Sequence, residues 1–462
     1  MSDLGFFSAR QIAPSQSLKQ LLANGDWSFF KLKGSLIANV TLSWPSEVNP
    51  YGLLNFSRNC WKFFWRAKDQ SDTIVGLGSV MKLRSQDKES LDLLKGLKLF
   101  GGLAFPSKKV DAKWEGFEED FFVLPQVEWA LSGKQCVLNL RLKIEGEDLP
   151  KDLYDQAAEV YRDFALATLA MASPIPQSIL SQGDTPDKQG WNKMVSDAVS
   201  DISTGRYSKV VLSRYKELQC SQSIDLGGLL ESLDQIEEDS YLFAFVEPSG
   251  KAFVGRSPER LLSWDKEQVL VDAIAGTRKR DKSSSLDIET GEDLQNSHKD
   301  LDEHRCVTEF VHKTLSEHCE QVESLEKEQL FRLKHVQHMR STFKGRLCEG
   351  SQGMALLHSL HPTPAVGGTP ADLAEESIES SEPFQRGLFT GAVGMTDGDS
   401  GDFAIGIRTA LVSANKLMLF AGAGIVELSD PEAEWLETEM KMKNFLDLFG
   451  VAMEQDESEL KH

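Results

Sequence analysis

The chain lacks the features that would direct it to a membrane, to nucleic acid or to a thiol-bound metal. Its 462 residues hold no unbroken apolar run of the roughly 18 needed to span a bilayer, so no transmembrane helix is expected. Basic residues are in deficit, 50 Lys and Arg against 71 Asp and Glu. The formal net charge of −21 argues against nucleic acid and anionic lipid as partners, because both call for a basic footprint. If the ligand is an anion, its positive partners must be local: a few Arg or Lys, or a metal ion. Cysteine is sparse, and Cys60, Cys136, Cys220, Cys306, Cys319 and Cys348 include no C-x-x-C pair. Reduced thiols in a cytoplasmic protein are expected, and zinc is disfavoured. The first stretch, "MSDLGFFSARQIAPSQS", has no basic segment followed by an apolar core and is not expected to be a secretory signal. There is no internal repeat.

What is present describes a globular protein, with 40% hydrophobic and 9% aromatic residues. Length alone suggests two to three domains. Residues 1–175 read as strands and turns rich in aromatics, as in "NCWKFFWRAK", followed by a helix over "KDLYDQAAEVYRDFALATLAMA". The polar, Pro-containing "SPIPQSILSQGDTPDKQG" reads as a linker. From 190 to 452 strand patterns ("YSKVVLSRYKEL", "SYLFAFVEP", "DFAIGIRTALV") alternate with helical ones ("HKDLDEHRCVTEFVHKTLSEHC"). The Ser-rich, charged "KRDKSSSLDIETGEDLQNS" reads as a surface loop, and 453–462 as an acidic tail. The mixture predicts an α/β or α+β fold with large sheets.

The stretch "LMLFAGAGIVELSDPEAEWLETEMKMKNFLDLF" combines an apolar strand, Gly422 and Gly424, and a helix that opens with acids. At about 100° per residue, Glu434, Glu437 and Lys441 share a stripe with Phe445 and Leu448. Glu439, Lys443 and Asp447 fall on the opposite, solvent-like side. The stripe reads either as an i,i+4 surface pair, Glu437 with Lys441, or as carboxylates turned inward. A second helix repeats the pattern, with Asp300, Glu303 and Val307 on one side. Carboxylates without a His or Cys ligand set suit a hard cation such as Mg²⁺, which takes one or two protein carboxylates and completes its shell with water and an anionic substrate.

Other groups admit both chemical and bland readings. Arg408 lies on a strand-like face with small neighbours, Ala404, Gly406 and Ala410, leaving space for a carboxylate; an arginine at a sheet edge reads the same way. Lys209 precedes an apolar strand, as either a general base or a solvated strand end. Glu259, between Ser-Pro and Leu-Leu, is either a protonated acid against apolar walls or a first-turn helix residue. His338 could orient substrate or be a core histidine, and Thr363 is the useful donor of the rigid turn "HPTPAVGG".

In this order, "YSKVVLSR", "SPERLL", "AIAGTRKR", "KDLDEHR", "HVQHM", "LHPTPAVGGTP", "GLFTGAVGM", "FAIGIRTA" and "AGAGIVELSDPEAEWLETEMK" resemble the chorismate-utilising enzymes. They span residues 207–441, about half the chain, and the N-terminal part resembles the family only loosely. The resemblance implies large antiparallel sheets ringed by helices in one interwoven unit, with a Mg²⁺-dependent site for chorismate. It implies Glu303 and Glu437 as metal ligands, with Asp300 and Glu434 beside them. Thr277, His338, Thr363, Arg408, Lys441 and the Gly422–Gly424 backbone match substrate-contacting positions. Lys209 matches a lysine that activates water, and Glu259 an acid that protonates a departing hydroxyl.

Two positions indicate a branch. Ammonia-using relatives typically carry Gln where Lys209 stands, and those with a nucleophilic lysine carry it where Ala275 stands. The combination resembles isochorismate synthases, which add water at C2 of chorismate and lose the C4 hydroxyl, and the menaquinone-specific branch more than the siderophore one. It also resembles salicylate synthases, and a metal- or nucleotide-binding module without catalysis is the reading from a different class. A monomer or homodimer is expected.

Overall fold

A computed structural model describes residues 15–453, apart from 33, 45–47, 57, 147–148, 176–177 and 237–238. The described strands form two sheets, one of 13 strands and one of nine. Every pairing within them is antiparallel. Both sheets draw on both parts of the chain: Lys62–Arg66 pairs with Tyr241–Val246, and Leu99–Leu103 with Ala392–Thr396.

Side-chain alternation explains why the sheets stack. In Tyr241–Val246, positions 241, 243 and 245 join one apolar cluster while 242, 244 and 246 join another. Phe63 and Trp65 divide from Phe64 in the same way. The first set builds an aromatic layer between the sheets, where Phe63 meets Phe100 of the other sheet at 5.1 Å between centroids and Phe121 meets Phe245 at 6.4 Å. The second set faces helices, including Leu226–Asp234 and Pro431–Leu448. Helices His298–His318 and Gly353–Leu360 cover the outer face of the nine-stranded sheet through Val307, Val311, Leu356 and Leu360. The fold is helix, sheet, sheet, helix.

Two expectations are corrected. The supposed loop after Lys279 contains the helix Ser284–Asn296. Asp287, held by Arg280 Nε at 2.7 Å, and the fully buried Leu294 anchor it, and that tertiary anchoring outweighs a polar composition. The supposed linker contains the strand Ile179–Thr185, paired with Lys209–Cys220, and ends in the helix Lys188–Ser203, capped by Asp187 accepting from Gly190 N at 2.8 Å. The acidic tail, beyond Met453, lies outside the described residues.

Candidate active site

The strand Lys209–Cys220 is buried along almost its whole length and pairs with Lys416–Ile425, setting Val211 opposite Gly424 and Ser213 opposite Gly422. A Cβ on Gly424 would stand 2.8 Å from Glu303 Oε1 and 3.1 Å from Lys209 Cε, so glycine is what lets these groups approach the strand. Lys209, 2% exposed, places Nζ 3.0 Å from Glu303 Oε1. Burial would raise the Glu303 carboxyl, but Lys209, Lys441 and Lys299 together hold it below its ordinary range.

The helix Pro431–Leu448 follows its sequence signals, with Asp430 capping Ala433 N at 2.9 Å and Pro431 in the first turn. It brings Glu434, Glu437 and Lys441 to the same cavity as Glu303. Lys441 Nζ lies 2.7 Å from Glu437 Oε1 and donates to Gly422 O at 2.9 Å. Burial and the charge of Glu437 push Glu434 up to about 7, and Lys299 Nζ lies 3.7 Å away. Asp300 is taken by Arg278, whose Nη2 stands 2.7 Å from Oδ2. Glu439, expected on the solvent side, is instead 1% exposed and paired with the buried Arg214 and with Lys216 at 3.3 Å. The helix is therefore covered on that side too, by the strand Lys209–Cys220.

Glu259 and Arg408 sit where the chain changes sheets. Ala252–Ser257 belongs to the 13-stranded sheet and Arg260–Asp265 to the nine-stranded one, with Glu259 between them. Ser400–Ile405 and Thr409–Ser413 make the same crossing alongside, with Arg408 between them at φ +55°. Bonds from Ile405 N to Glu259 O (3.1 Å) and from Arg256 N to Arg408 O (3.1 Å) tie the crossings together. Arg408 thus stands at a break in the strand, not on the continuous strand face that alternation suggested. Its Nη2 reaches His338 Nε2 at 3.2 Å and its Nη1 the Lys441 carbonyl at 3.5 Å.

Burial, with Arg408 and Lys441 nearby, lowers His338 to about 3, so the ring is neutral. Nδ1–H then donates to Gly276 O at 3.0 Å, leaving Nε2 to accept from Arg408. Thr277 Oγ1 lies 3.2 Å from the same Nδ1. Glu259 is 3% exposed, and its Oε1 has no hydrogen-bond partner among the described residues. Burial and the charge of Asp272 push its carboxyl up to about 8, against the opposing pull of Lys68, the Ile274 N–H and Lys209.

One cavity is lined by Glu259, Thr277, Asp300, Glu303, His338, Arg408, Gly422, Gly424, Glu434, Glu437 and Lys441. Lys209 does not line it and meets it only through Glu303, 3.0 Å from its Nζ. Thr363 does not line it; the turn presents Ala365 and Val366 instead, and the Thr363 hydroxyl is buried with no hydrogen-bond partner among the described residues. Lys299 and Arg278 also line the cavity; their residue types alone carry no signal, although they lie within "KDLDEHR" and "AIAGTRKR".

The donor set fits a hard cation. Among the described residues no three His, Cys, Asp or Glu side chains form a closed cage, but Mg²⁺ commonly needs only one or two carboxylates beside water and substrate oxygens. Glu303 and Glu437 present two, in a cradle that any Cβ at Gly424 would fill.

Comparison with known proteins places this two-sheet α/β chain and its cavity in a class of enzymes. The model of the chorismate binding enzyme family matches residues 31–450, and the chain belongs to that family. Isochorismate synthase MenF of Bacillus subtilis is 31% identical over 434 residues, covering 88% of this chain and 91% of that protein. The chloroplastic isochorismate synthase of Catharanthus roseus is 32% identical, over 81% of this chain and 68% of that one. The solved structure of MenF, the menaquinone-specific isochorismate synthase from Escherichia coli, superposes with a TM-score of 0.80 at 25% identity, covering 94% of this chain and all of that one. Anthranilate synthase component I from Streptococcus pneumoniae, 20% identical over 81% of this chain and 91% of that one with a TM-score of 0.64, shares the fold.

Proposed function

We propose that the protein is an isochorismate synthase of the menaquinone-specific type, isomerising chorismate to isochorismate. The observation that carries the reading is one cavity holding both a carboxyl that keeps its proton, Glu259, and the carboxyls of Glu303 and Glu437, with Glu303 held below its ordinary range by neighbouring lysines. The family relationship and the similarity to proteins named isochorismate synthase support it.

Chorismate carries two carboxylates, and Arg408 and Lys441 supply fixed positive charge inside the cavity. Neutral His338 holds the Arg408 guanidinium from one side. Glu303 and Glu437 would hold Mg²⁺, which when bound supplies a hard cation for the ring carboxylate. Lys209, neutral when it acts, removes a proton from the water that attacks C2, and Glu259 gives its proton to the C4 hydroxyl as the ring double bonds shift. One water enters, one leaves, and the overall change is an isomerisation. General acid and base groups each contribute about 10²–10⁴-fold. Ala275 leaves no lysine there to form a covalent bond to the ring. The free thiols of the described cysteines suit a cytoplasmic enzyme.

The test is incubation of the pure protein with chorismate and Mg²⁺, without ammonia, and identification of the product. Isochorismate is expected. Salicylate with pyruvate as the main products would replace the reading with a salicylate synthase, and an aminated product formed only with added ammonia would remove Lys209 from its role.

A further inference from the structure

Asp272 is buried on the strand Gln268–Lys279, two residues before Ile274, on the same side of the strand. Ile274 lines the catalytic cavity, and its N–H donates to the Glu259 carboxyl. Lys68 Nζ stands 2.8 Å from Asp272 Oδ2, Arg260 Nη1 3.7 Å from Oδ1, and Thr342 Oγ1 donates to Oδ1 at 3.1 Å. Lys68 and Arg260 also line a second cavity. The hairpin of Arg260–Asp265 with Gln268–Lys279 sets Ser263 opposite Leu270 and so brings the anchored Asp272 alongside the Glu259 end of the hairpin, where Arg260 reaches it. Lys68 follows the strand Lys62–Arg66, in the N-terminal part of the chain, and is 5% exposed.

We propose that Asp272, anchored by Lys68 and Arg260, is a positioning residue for the reaction: as a fixed negative charge near Glu259, it keeps that group in its proton-donating form. The proposal rests on Glu259 being the acid. Burial alone would neutralise Asp272, but Lys68, Arg260 and Arg340 hold its carboxyl below the ordinary range. Two ionised carboxylates buried near each other repel, so the group without fixed cationic partners keeps its proton. The charged groups acting on Glu259 are Asp272 from one side and Lys68 and Lys209 from the others. Asp272 and Lys68 therefore pull in opposite directions, which separates an electrostatic role from a merely structural one.

The test follows the Glu259 carboxyl directly, as the protonated-acid infrared band lost in Glu259→Gln, titrated in the intact protein alongside the pH profile of chorismate turnover. In Asp272→Asn the ionisation midpoint should fall by about one pH unit or more, with the alkaline limb of activity moving by the same amount. In Lys68→Met, where Arg260 and Thr342 still hold Asp272, the midpoint should rise. The double variant, which removes the pair together and strands no buried cation, should return towards the wild type and guards against a folding defect in either single variant. Midpoints that do not move, or that move the same way in both single variants, would overturn the proposal. A band that shifts as expected while chorismate is not isomerised would leave the electrostatic device standing and sink the isochorismate synthase reading.

Discussion

Lys209 Nζ and Glu303 Oε1 stand 3.0 Å apart over the bare Cα of Gly424. The strand supplies the base, the helix His298–His318 supplies the carboxylate, and a glycine on the neighbouring strand lets them meet. Every function assigned to this site depends on that approach.

The first prediction concerns Lys209. Replacing it with Ala should leave chorismate binding within a few-fold of the wild type, while kcat drops by about 10²–10⁴. Isothermal titration with chorismate and a product assay measure the two separately, and retained turnover would take Lys209 out of the base role.

Gly424→Ala tests the cradle. The added methyl would press on Glu303 Oε1 at 2.8 Å, and a neighbour must shift to admit it. Mg²⁺ affinity should weaken by roughly 10–100-fold, the usual effect of disturbing the groups around a metal ligand, while the thermal transition changes little. Mg²⁺ titration of the protein, read by calorimetry, shows whether it does.

The pH dependence follows from Glu259. The acid must be protonated to act, and its carboxyl is raised to about 8. Its active form is therefore present below that value and lost as pH rises through it. The alkaline limb of kcat should fall near pH 8 in the wild type, and Glu259→Gln should lower kcat at every pH. An alkaline limb that persisted with the same midpoint in the residual activity of Glu259→Gln would belong to another group and take Glu259 out of the acid role.

Arg214→Ala should destabilise the protein by about 3–5 kcal/mol, because Glu439 would be left buried with only Lys216 at 3.3 Å. The doubly apolar Arg214→Met, Glu439→Leu variant should recover much of that loss. Denaturant unfolding of both, compared with the wild type, gives the two differences.

Much of the site was legible in the sequence because its chemistry sits on regular elements. Helical spacing alone put Glu434, Glu437 and Lys441 on one stripe, and Asp300 with Glu303 on another. The same spacing misjudged Glu439, because a helical wheel has one covered side only when a single surface packs against the helix. Here the strand Lys209–Cys220 reaches round with Arg214 and covers a second side. Strand alternation failed at Arg408 for a related reason: the chain changes sheets there, and the residue takes a left-handed conformation that no alternation rule anticipates. Thr363 was chosen for its hydroxyl, but the turn's backbone path directs Ala365 and Val366 inward.

By itself the sequence determined the class of chemistry: acids without soft ligands, a lysine at the head of an apolar strand, and a set of segments whose order marks a family. Those are local properties, fixed by residue type and by spacing along one element. Only the tertiary structure decided which of two bland carboxyls would keep its proton. Glu259 and Asp272 are both buried acids, 13 positions apart in the chain. Asp272 meets Lys68, contributed by the turn after a strand, 204 residues earlier, and stays charged. Glu259 has an oxygen without a hydrogen-bond partner among the described residues and remains an acid. Protonation follows the sum of charges and burial around a group, and only the fold assembles that sum.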